Sequence, residues 1–207
     1  MKIRIETLVS MLTNPKECYR AAVCRIEQLK ASGEYLTIGG LTPDEERCVA
    51  DLAAESGDGP EAIVEIGTLF GFTTSAMAAK SKRKIITVDI FCWNPFGWPP
   101  KYHRMFTTKI LQNAIENGKI EIVVQESAKF RASWNMPPPA MIFLDADHSY
   151  EPVRDEIAWA KKIGIPIIAG HDYGDPTFGV TRAVDEAFPQ ESIHTQGRVW
   201  WVKNTGI

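Results

Sequence analysis

The 207-residue sequence predicts an α/β fold built on a mostly parallel, seven-stranded sheet that ends in an antiparallel hairpin. From residue 62 onward, short apolar runs alternate with helical patterns, which is typical of parallel βαβ units. The runs are apolar throughout, which indicates strands buried on both faces. Two strand-like segments then flank Gly197 near the end of the chain. These observations predict a doubly wound, Rossmann-like domain.

The strands and helices of this domain are expected in a regular order. Apolar runs predict five parallel strands at residues 62–66, 85–90, 120–124, 141–144 and 166–169. Helical patterns occupy residues 72–80, 103–117, 149–163 and 180–188. The terminal hairpin is predicted at residues 192–196 and 198–204.

Two further helices are predicted ahead of this alternation. The first covers residues 15–31, and the second begins at Thr42, where Glu45 completes a Thr-x-x-Glu capping box. We expect residues 1–59 to form a helical cap and residues 60–207 to form the core, within one compact domain. The cap could cover the sheet edge, cover the pocket or form a contact in a homo-oligomer, and the sequence does not choose.

Charge and cysteine content narrow the range of partners and compartments. The formal net charge is −3, which gives no reason to expect nonspecific binding to nucleic acid or membranes. The four cysteines show no metal-binding spacing, and no signal peptide precedes the domain, so we expect a cytoplasmic protein. No segment approaches the length of a membrane span.

A glycine-containing turn follows the first strand of the core. Gly67 and Gly71 stand at a strand-to-helix turn, where glycine allows a ligand to approach the backbone closely. Their G-x-x-x-G spacing differs from the G-x-G-x-x-G of dinucleotide sites. Asp89 ends the next strand 22 residues after Gly67, close to the offset at which an acid binds ribose hydroxyls. The alternative is a tight turn and an exposed aspartate.

Acidic and histidine side chains follow two other predicted strands. They are Asp145, Asp147, His148, His171 and Asp172. Open parallel sheets bind ligands just outside the carboxyl ends of their strands. These groups therefore predict metal coordination or proton transfer beside a nucleotide pocket.

The order of these motifs resembles class I S-adenosylmethionine-dependent methyltransferases, in the group that includes macrocin-type O-methyltransferases and cephalosporin-hydroxylase-like proteins. The motifs are E-I-G-x-x-x-G-x-T, V-D, E-S, L-D-A-D-H-S-Y and G-H-D-Y, within residues 60–204. The resemblance implies methyl transfer from S-adenosylmethionine to a small-molecule hydroxyl.

The resemblance also implies a set of cofactor contacts. Glu65 and Gly67 would lie against the methionine part, Asp89 would hold the ribose, and Ser127 would lie near the adenine. The full expected set is Glu65, Gly67, Thr68, Gly71, Thr73, Asp89, Ser127 and Asp145. Glu126 departs from the Gly-Asp-Ser that is often found in this group.

His148 is the implied general base, and Asp145 is the second expected catalytic residue. Asp145 and Asp172 stand where metal-dependent members bind a divalent ion such as Mg²⁺ or Mn²⁺. His171 departs from the acid carried by those members. Either it is a third metal ligand that favours a softer ion, or metal binding is weak or absent. Asp147 could supply an oxygen or cap the following helix.

An aromatic segment at residues 91–106 follows Asp89 directly. We expect it to hang over the pocket, with Trp93 and Trp98 contacting the substrate together with Tyr173. The alternative is a packed hydrophobic cluster or an oligomer contact.

The sequence leaves two other functions open. A regulatory, non-catalytic nucleotide-binding protein would have no physical reason to keep five ionisable groups at two strand ends, because their desolvation is costly. The G-x-x-x-G spacing does not suit the pyrophosphate of a dinucleotide, which disfavours a dinucleotide-dependent oxidoreductase.

Overall fold

The computed structural model describes residues 15–34 and 39–203. The predicted cap therefore extends beyond the described residues at 1–14 and 35–38. The last residue of the predicted hairpin, 204, also lies outside them.

The predicted sheet is confirmed, and its strands are short. In chain order they are β1 (Ile63–Ile66), β2 (Ile85–Val88), β3 (Ile120–Val123), β4 (Met141–Leu144), β5 (Ile167–Gly170), β6 (His194–Gln196) and β7 (Val199–Lys203). The spatial order is β3-β2-β1-β4-β5-β7-β6. The first five strands are parallel, and β7 pairs antiparallel with both β5 and β6.

The helices precede β1 or connect one strand to the next. They are α1 (Pro15–Ala31), α2 (Pro43–Glu55), α3 (Phe72–Lys80), α4 (Pro100–Ile110), α5 (Gln112–Glu116), α6 (Ser127–Ser133), α7 (Tyr150–Ile163) and α8 (Val180–Ala187), and a 3₁₀ turn covers Gln190–Ser192. The helix predicted at 103–117 is divided at Leu111 into α4 and α5. The sequence pattern missed α6, whose seven residues include a single buried apolar side chain, Phe130.

Every residue of β1, β2, β4 and β5 is buried, as the uninterrupted apolar runs predict. Helices α6, α7 and α8 cover one face of the sheet, where Ile157 and Val184 pack with Ile142. Helices α2 and α3 cover the other face, where Leu52 and Met77 pack with strand residues. The strand side chains therefore lie between two helical layers.

The capping box predicted at the start of α2 is present. The Glu45 backbone N–H donates to Thr42 Oγ1 at 3.3 Å, and the Thr42 N–H donates to Glu45 Oε2 at 2.8 Å. The buried side chains of helix α2 pack in the same hydrophobic cluster as the strand side chains. The division into a cap and a core stays a prediction.

The strand order reverses between β1 and β4, which lie side by side at the centre of the sheet. In open α/β sheets the ligand crevice forms outside the carboxyl ends of the strands at such a switch point. Among the helices of the described residues, none is both long enough and apolar enough to cross a membrane.

Candidate active site

The glycine turn crosses directly over the end of β4. Gly67 has a φ of 99°, and a Cβ atom built on it would lie 2.1 Å from the Asp145 carbonyl oxygen. This close approach and the positive φ both require glycine. Gly71 has a φ of 81° and forms the N-cap of α3. The turn is thus held against the strand end that carries Asp145.

Glu65 lies beneath this turn and is 1 % exposed. Its Oε2 accepts hydrogen bonds from Thr74 at 2.5 Å and Thr87 at 2.6 Å. Its Oε1 is buried and has no hydrogen-bond partner among the described residues. Burial raises the pKa of Glu65 to about 8. A buried acceptor without a donor is costly, so this oxygen suits a ligand that brings an N–H group.

Asp89 ties the glycine turn to the segment after β2. Its Oδ2 accepts the backbone N–H groups of Thr68 and Leu69, both at 2.9 Å, and its Oδ1 accepts that of Phe91 at 2.6 Å. The predicted ribose contact stays a prediction. Thr73 is partly exposed in the first turn of α3.

Ser127 begins α6 and donates a 2.5 Å hydrogen bond to Glu156, which is 3 % exposed in α7. Burial raises the pKa of Glu156 to about 7. The sequence pattern missed Glu156, because it reads as an ordinary residue of an amphipathic helix. Glu126, the departure from the family pattern, is exposed and pairs with Lys129 at 3.0 Å.

Three of the predicted polar residues form a tight group at the carboxyl edge. Asp145, His148 and Asp172 each offer one ligand atom, and these atoms lie within 4.8 Å of one another. His148 Nδ1 lies 3.1 Å from Asp172 Oδ2. Burial lowers the pKa of His148, which keeps the ring neutral near pH 7. Asp147 lies outside this group and accepts the Ser149 N–H at 2.8 Å. This bond is typical of a turn at a helix start.

His171, which one of the two alternatives makes a third metal ligand, also lies outside this group. Its Nδ1 lies 3.5 Å from Asp172 and 3.7 Å from Asp145, and its Nε2 lies 3.6 Å from Glu45. Burial lowers the pKa of His171, but the surrounding carboxylates raise it more strongly, to about 10. A protonated imidazole has no lone pair for a metal ion, so this environment favours an ion-pair role.

Glu45 and Arg198 complete the surroundings of His171 and Asp172, and the sequence pattern missed both roles. Glu45 Oε1 accepts the Arg198 backbone N–H at 2.7 Å. Burial alone would raise the pKa of Glu45, but His171 and the hydrogen bonds from Arg198 and Thr42 lower it to about 2. The Arg198 side chain lies 3.4 Å from Asp172. In the sequence, the capping box alone explains a glutamate at position 45, so the pattern gives no sign of its contacts with His171 and Arg198.

Within the aromatic segment, some side chains pack against one another and others are exposed. Trp98 packs against Phe70 and Phe96 at ring-centroid distances of 5.8 and 5.1 Å. Trp93 is 62 % exposed and lies beside Gly39. Trp98 thus packs as the cluster alternative predicts but stays partly exposed, whereas Trp93 is exposed among the described residues.

Two aromatic side chains lie in the segment that follows β5. Phe178 is 39 % exposed, and its ring centroid lies 4.7 Å from that of His148. The sequence pattern missed this contact. The Tyr173 hydroxyl donates to Asp185 at 2.8 Å, so this predicted substrate residue is already hydrogen-bonded.

Residues 64–173 match the model of a methyltransferase-domain family. The matched range includes the glycine turn, Asp89, Ser127 and the Asp145–Asp172 cluster. The chain belongs to this family. The predicted class, a methyltransferase, is therefore confirmed, and neither of the other two functions is supported.

Solved structures with the same fold include several O-methyltransferases. TomG from Streptomyces achromogenes, crystallised with SAM, shares 16 % identity at a TM-score of 0.59 over 79 % of this chain and 81 % of its own. The O-methyltransferase from Bacillus cereus, crystallised with SAH, shares 17 % identity at a TM-score of 0.59 over 96 % of both chains.

CalS11, a TDP-rhamnose 3′-O-methyltransferase of calicheamicin biosynthesis, shares 15 % identity with this methyltransferase at a TM-score of 0.58. The match covers 79 % of this chain and 80 % of that one. At these identities the likeness confirms the Rossmann-like fold. No curated protein matches the sequence.

Proposed function

We propose that the protein transfers a methyl group from S-adenosylmethionine to a hydroxyl group of a small molecule. The observation that carries the proposal is the His148–Asp172 pair at the carboxyl edge of the sheet, beside a glycine turn. Family membership supports the methyl-transfer class, and the O-methyltransferases that share the fold support oxygen as the acceptor atom.

The cofactor extends across the carboxyl ends of β4, β1, β2 and β3 in this proposal. Its methionine part lies at the glycine turn, where an ammonium group can donate to the unpartnered Oε1 of Glu65. The ribose lies at Asp89 and the adenine near Ser127. Ile90, which follows Asp89 and is 42 % exposed, offers an apolar surface to the adenine. The other contacts are Gly67, Thr68, Gly71, Thr73 and Asp145.

His148 acts as the general base. Its Nδ1–H donates to Asp172, which orients the ring and leaves the Nε2 lone pair free to accept the acceptor's hydroxyl proton. The oxygen attacks the methyl carbon as the bond from that carbon to sulfur breaks. The products are the methyl ether, S-adenosylhomocysteine and a protonated His148. Asp145, whose pKa burial raises to about 7, lies beside the reacting groups.

The acceptor binds on the His148 side of the crevice. Trp93, Trp98 and Tyr173 stay the expected substrate contacts, and Phe178 joins them because its ring stands over His148. The net charge of −3 supports a small molecule over nucleic acid or a membrane. Free Cys24, Cys48 and Cys92 support a reducing cytoplasm. A homo-oligomer stays a further expectation.

The donor set Asp145, His148 and Asp172 also fits a divalent metal ion. Two oxygens and one nitrogen favour Mn²⁺ or another transition ion over Mg²⁺. Such an ion would act as a Lewis acid on the acceptor hydroxyl. The cations His171 and Arg198 beside Asp172 oppose its binding, so the base mechanism is the primary proposal.

The function is tested first by cofactor binding. We expect S-adenosylhomocysteine to raise the melting temperature, because a ligand of the native state stabilises it by mass action, whereas NAD⁺ leaves it unchanged. Asp89→Ala should weaken this binding at least ~10-fold by calorimetry, and Glu126→Ala, an exposed acid nearby, should not. Radiolabelled methyl transfer to a panel of hydroxylated small molecules then identifies the acceptor. No binding at millimolar concentration would refute the proposal.

Metal binding is tested by electron paramagnetic resonance of added Mn²⁺. A Mn²⁺ ion held by the cluster should be lost in Asp172→Asn, because one of the three donors becomes neutral. Asp147→Asn is the matched control, since Asp147 is a nearby carboxylate outside the group. Equal binding in both variants would place the ion elsewhere, and no bound ion would leave His148 and Asp172 to act alone.

A further inference from the structure

Two residues beside the cofactor crevice hold an unusual backbone conformation. Leu69, in the glycine turn, has a φ of 46°, and Phe91, just after Asp89, has a φ of 56°. Residues with a side chain rarely adopt this left-handed conformation, and it persists only where the surroundings impose it. Contacts with neighbouring residues must therefore stabilise both backbone segments in this conformation.

Asp89 supplies the first set of these contacts. Its two carboxylate oxygens accept the N–H groups of Leu69 at 2.9 Å and Phe91 at 2.6 Å. Asp89 thus joins the glycine turn to the segment that follows β2.

His103 in α4, which is fully buried, supplies the second set of contacts. Its Nε2 lies 2.9 Å from the Leu69 carbonyl oxygen, and its Nδ1 lies 3.3 Å from that of Phe91. The rings of Phe91 and His103 also pack edge to face, at 5.1 Å and 87°. Burial lowers the pKa of His103, so the neutral ring carries one N–H, and the shorter contact places it on Nε2. The Thr107 hydroxyl donates to the same Leu69 oxygen at 2.5 Å.

We propose that His103 is a positioning residue for the cofactor. It holds Leu69 through the Nε2–H hydrogen bond to the Leu69 carbonyl oxygen, and it holds Phe91 through edge-to-face packing of the two rings, whereas Asp89 binds the N–H groups of the same two residues. The inference rests on the proposed function. His103 touches the backbone behind the crevice, so it acts by keeping the glycine turn and the post-β2 segment in one arrangement. The ligand then meets a site that is already formed, and its affinity depends on the fraction of molecules in that arrangement.

His103→Phe tests the proposal, because phenylalanine keeps the ring packing and removes the donor. We expect the dissociation constant for S-adenosylhomocysteine to rise at least ~10-fold by calorimetry, since the binding-competent fraction falls. Thr107→Val removes the second donor to Leu69 with little change of shape and should weaken binding in the same direction. It provides the test if His103→Phe does not fold.

Rescue separates positioning from a loss of stability. Adding Leu69→Gly to His103→Phe should recover most of the affinity, because glycine adopts a positive φ without steric cost. Val184→Ala, on the opposite face of the sheet, should lower the melting temperature and leave the affinity unchanged. Wild-type affinity in His103→Phe, or no recovery with glycine, would overturn the inference alone. No binding by the wild-type chain would overturn the proposed function and this inference with it.

Discussion

At the scale of single residues, His148 and His171 show how environment divides the roles of two identical side chains. His148 faces the carboxylate of Asp172 with one nitrogen, and burial lowers its pKa. His171 is enclosed by three carboxylates, which raise its pKa to about 10. Near pH 7 the first ring is a neutral base and the second is a cation. We therefore propose that His148 transfers the proton and that His171 compensates the charge of the surrounding carboxylates.

Replacing His148 should separate chemistry from binding. We expect His148→Gln to lower the rate of methyl transfer at least ~100-fold, because the base is lost, while the affinity for S-adenosylhomocysteine is kept. Protonation of His148 should lower the wild-type rate only below the pH at which an ordinary histidine protonates, because the pKa of His148 is lowered. The exposed His194, replaced by Gln, is the control. Full activity of His148→Gln would remove this residue from the mechanism.

At the scale of elements, the contact between the glycine turn and the end of β4 brings the two halves of the site together. Gly67 lies against the Asp145 backbone, so the proposed cofactor side of the site contacts the proposed methyl-acceptor side directly. The turn also lies over Glu65, whose Oε1 has no partner within residues 15–34 and 39–203 and is the acceptor proposed for the ammonium group.

A matched pair of glycine substitutions measures this contact. Gly118 has a φ of 71° and open space around its Cβ position, so Gly118→Ala should cost about 1–2 kcal/mol of unfolding free energy from backbone strain alone. Gly67→Ala adds overlap with a backbone atom and should cost a further ~1–3 kcal/mol or more. Urea unfolding measures both. Equal losses of unfolding free energy in the two variants would show that the backbone at the end of β4 shifts to make room for the added methyl group.

At the scale of the whole molecule, the N-terminal helices are joined to the site. Helix α2 buries Leu52 against the sheet, and Glu45 of the same helix lies 3.6 Å from His171. Helix α1 packs Ile26 and Leu29 against Phe70 of the glycine turn. We therefore expect these helices to fold together with the core.

Leu52→Ala tests this coupling. Truncating a buried leucine typically costs about 2–5 kcal/mol, and calorimetry should record one transition at a lower temperature. The exposed Asp51→Ala on the same helix is the control, with little change expected. Two separate transitions, with only the first shifted, would show that the cap unfolds independently.

The sequence alone predicts the sheet, the helices between its strands except α6, and the residues at the strand ends, because each is encoded within a few neighbouring positions. An uninterrupted apolar run marks a strand such as β4, and the glycines mark the turn after β1. Once the strands are parallel, their carboxyl ends meet at one edge, which brings Asp89 and Asp145 to the same side of the sheet.

Only the tertiary structure decides which distant side chains enclose these residues. Glu45 contacts Arg198, 153 positions away, because α2 packs beside the terminal hairpin. His103 reaches Leu69 across 34 positions, and Glu156 reaches Ser127 across 29. The physical reason is that helix packing sets these distances, whereas periodicity along the chain reports only which face of a helix is buried. The sequence therefore determined the fold and the chemical groups at its edge, and the packing of helices on the sheet decided how those groups are held.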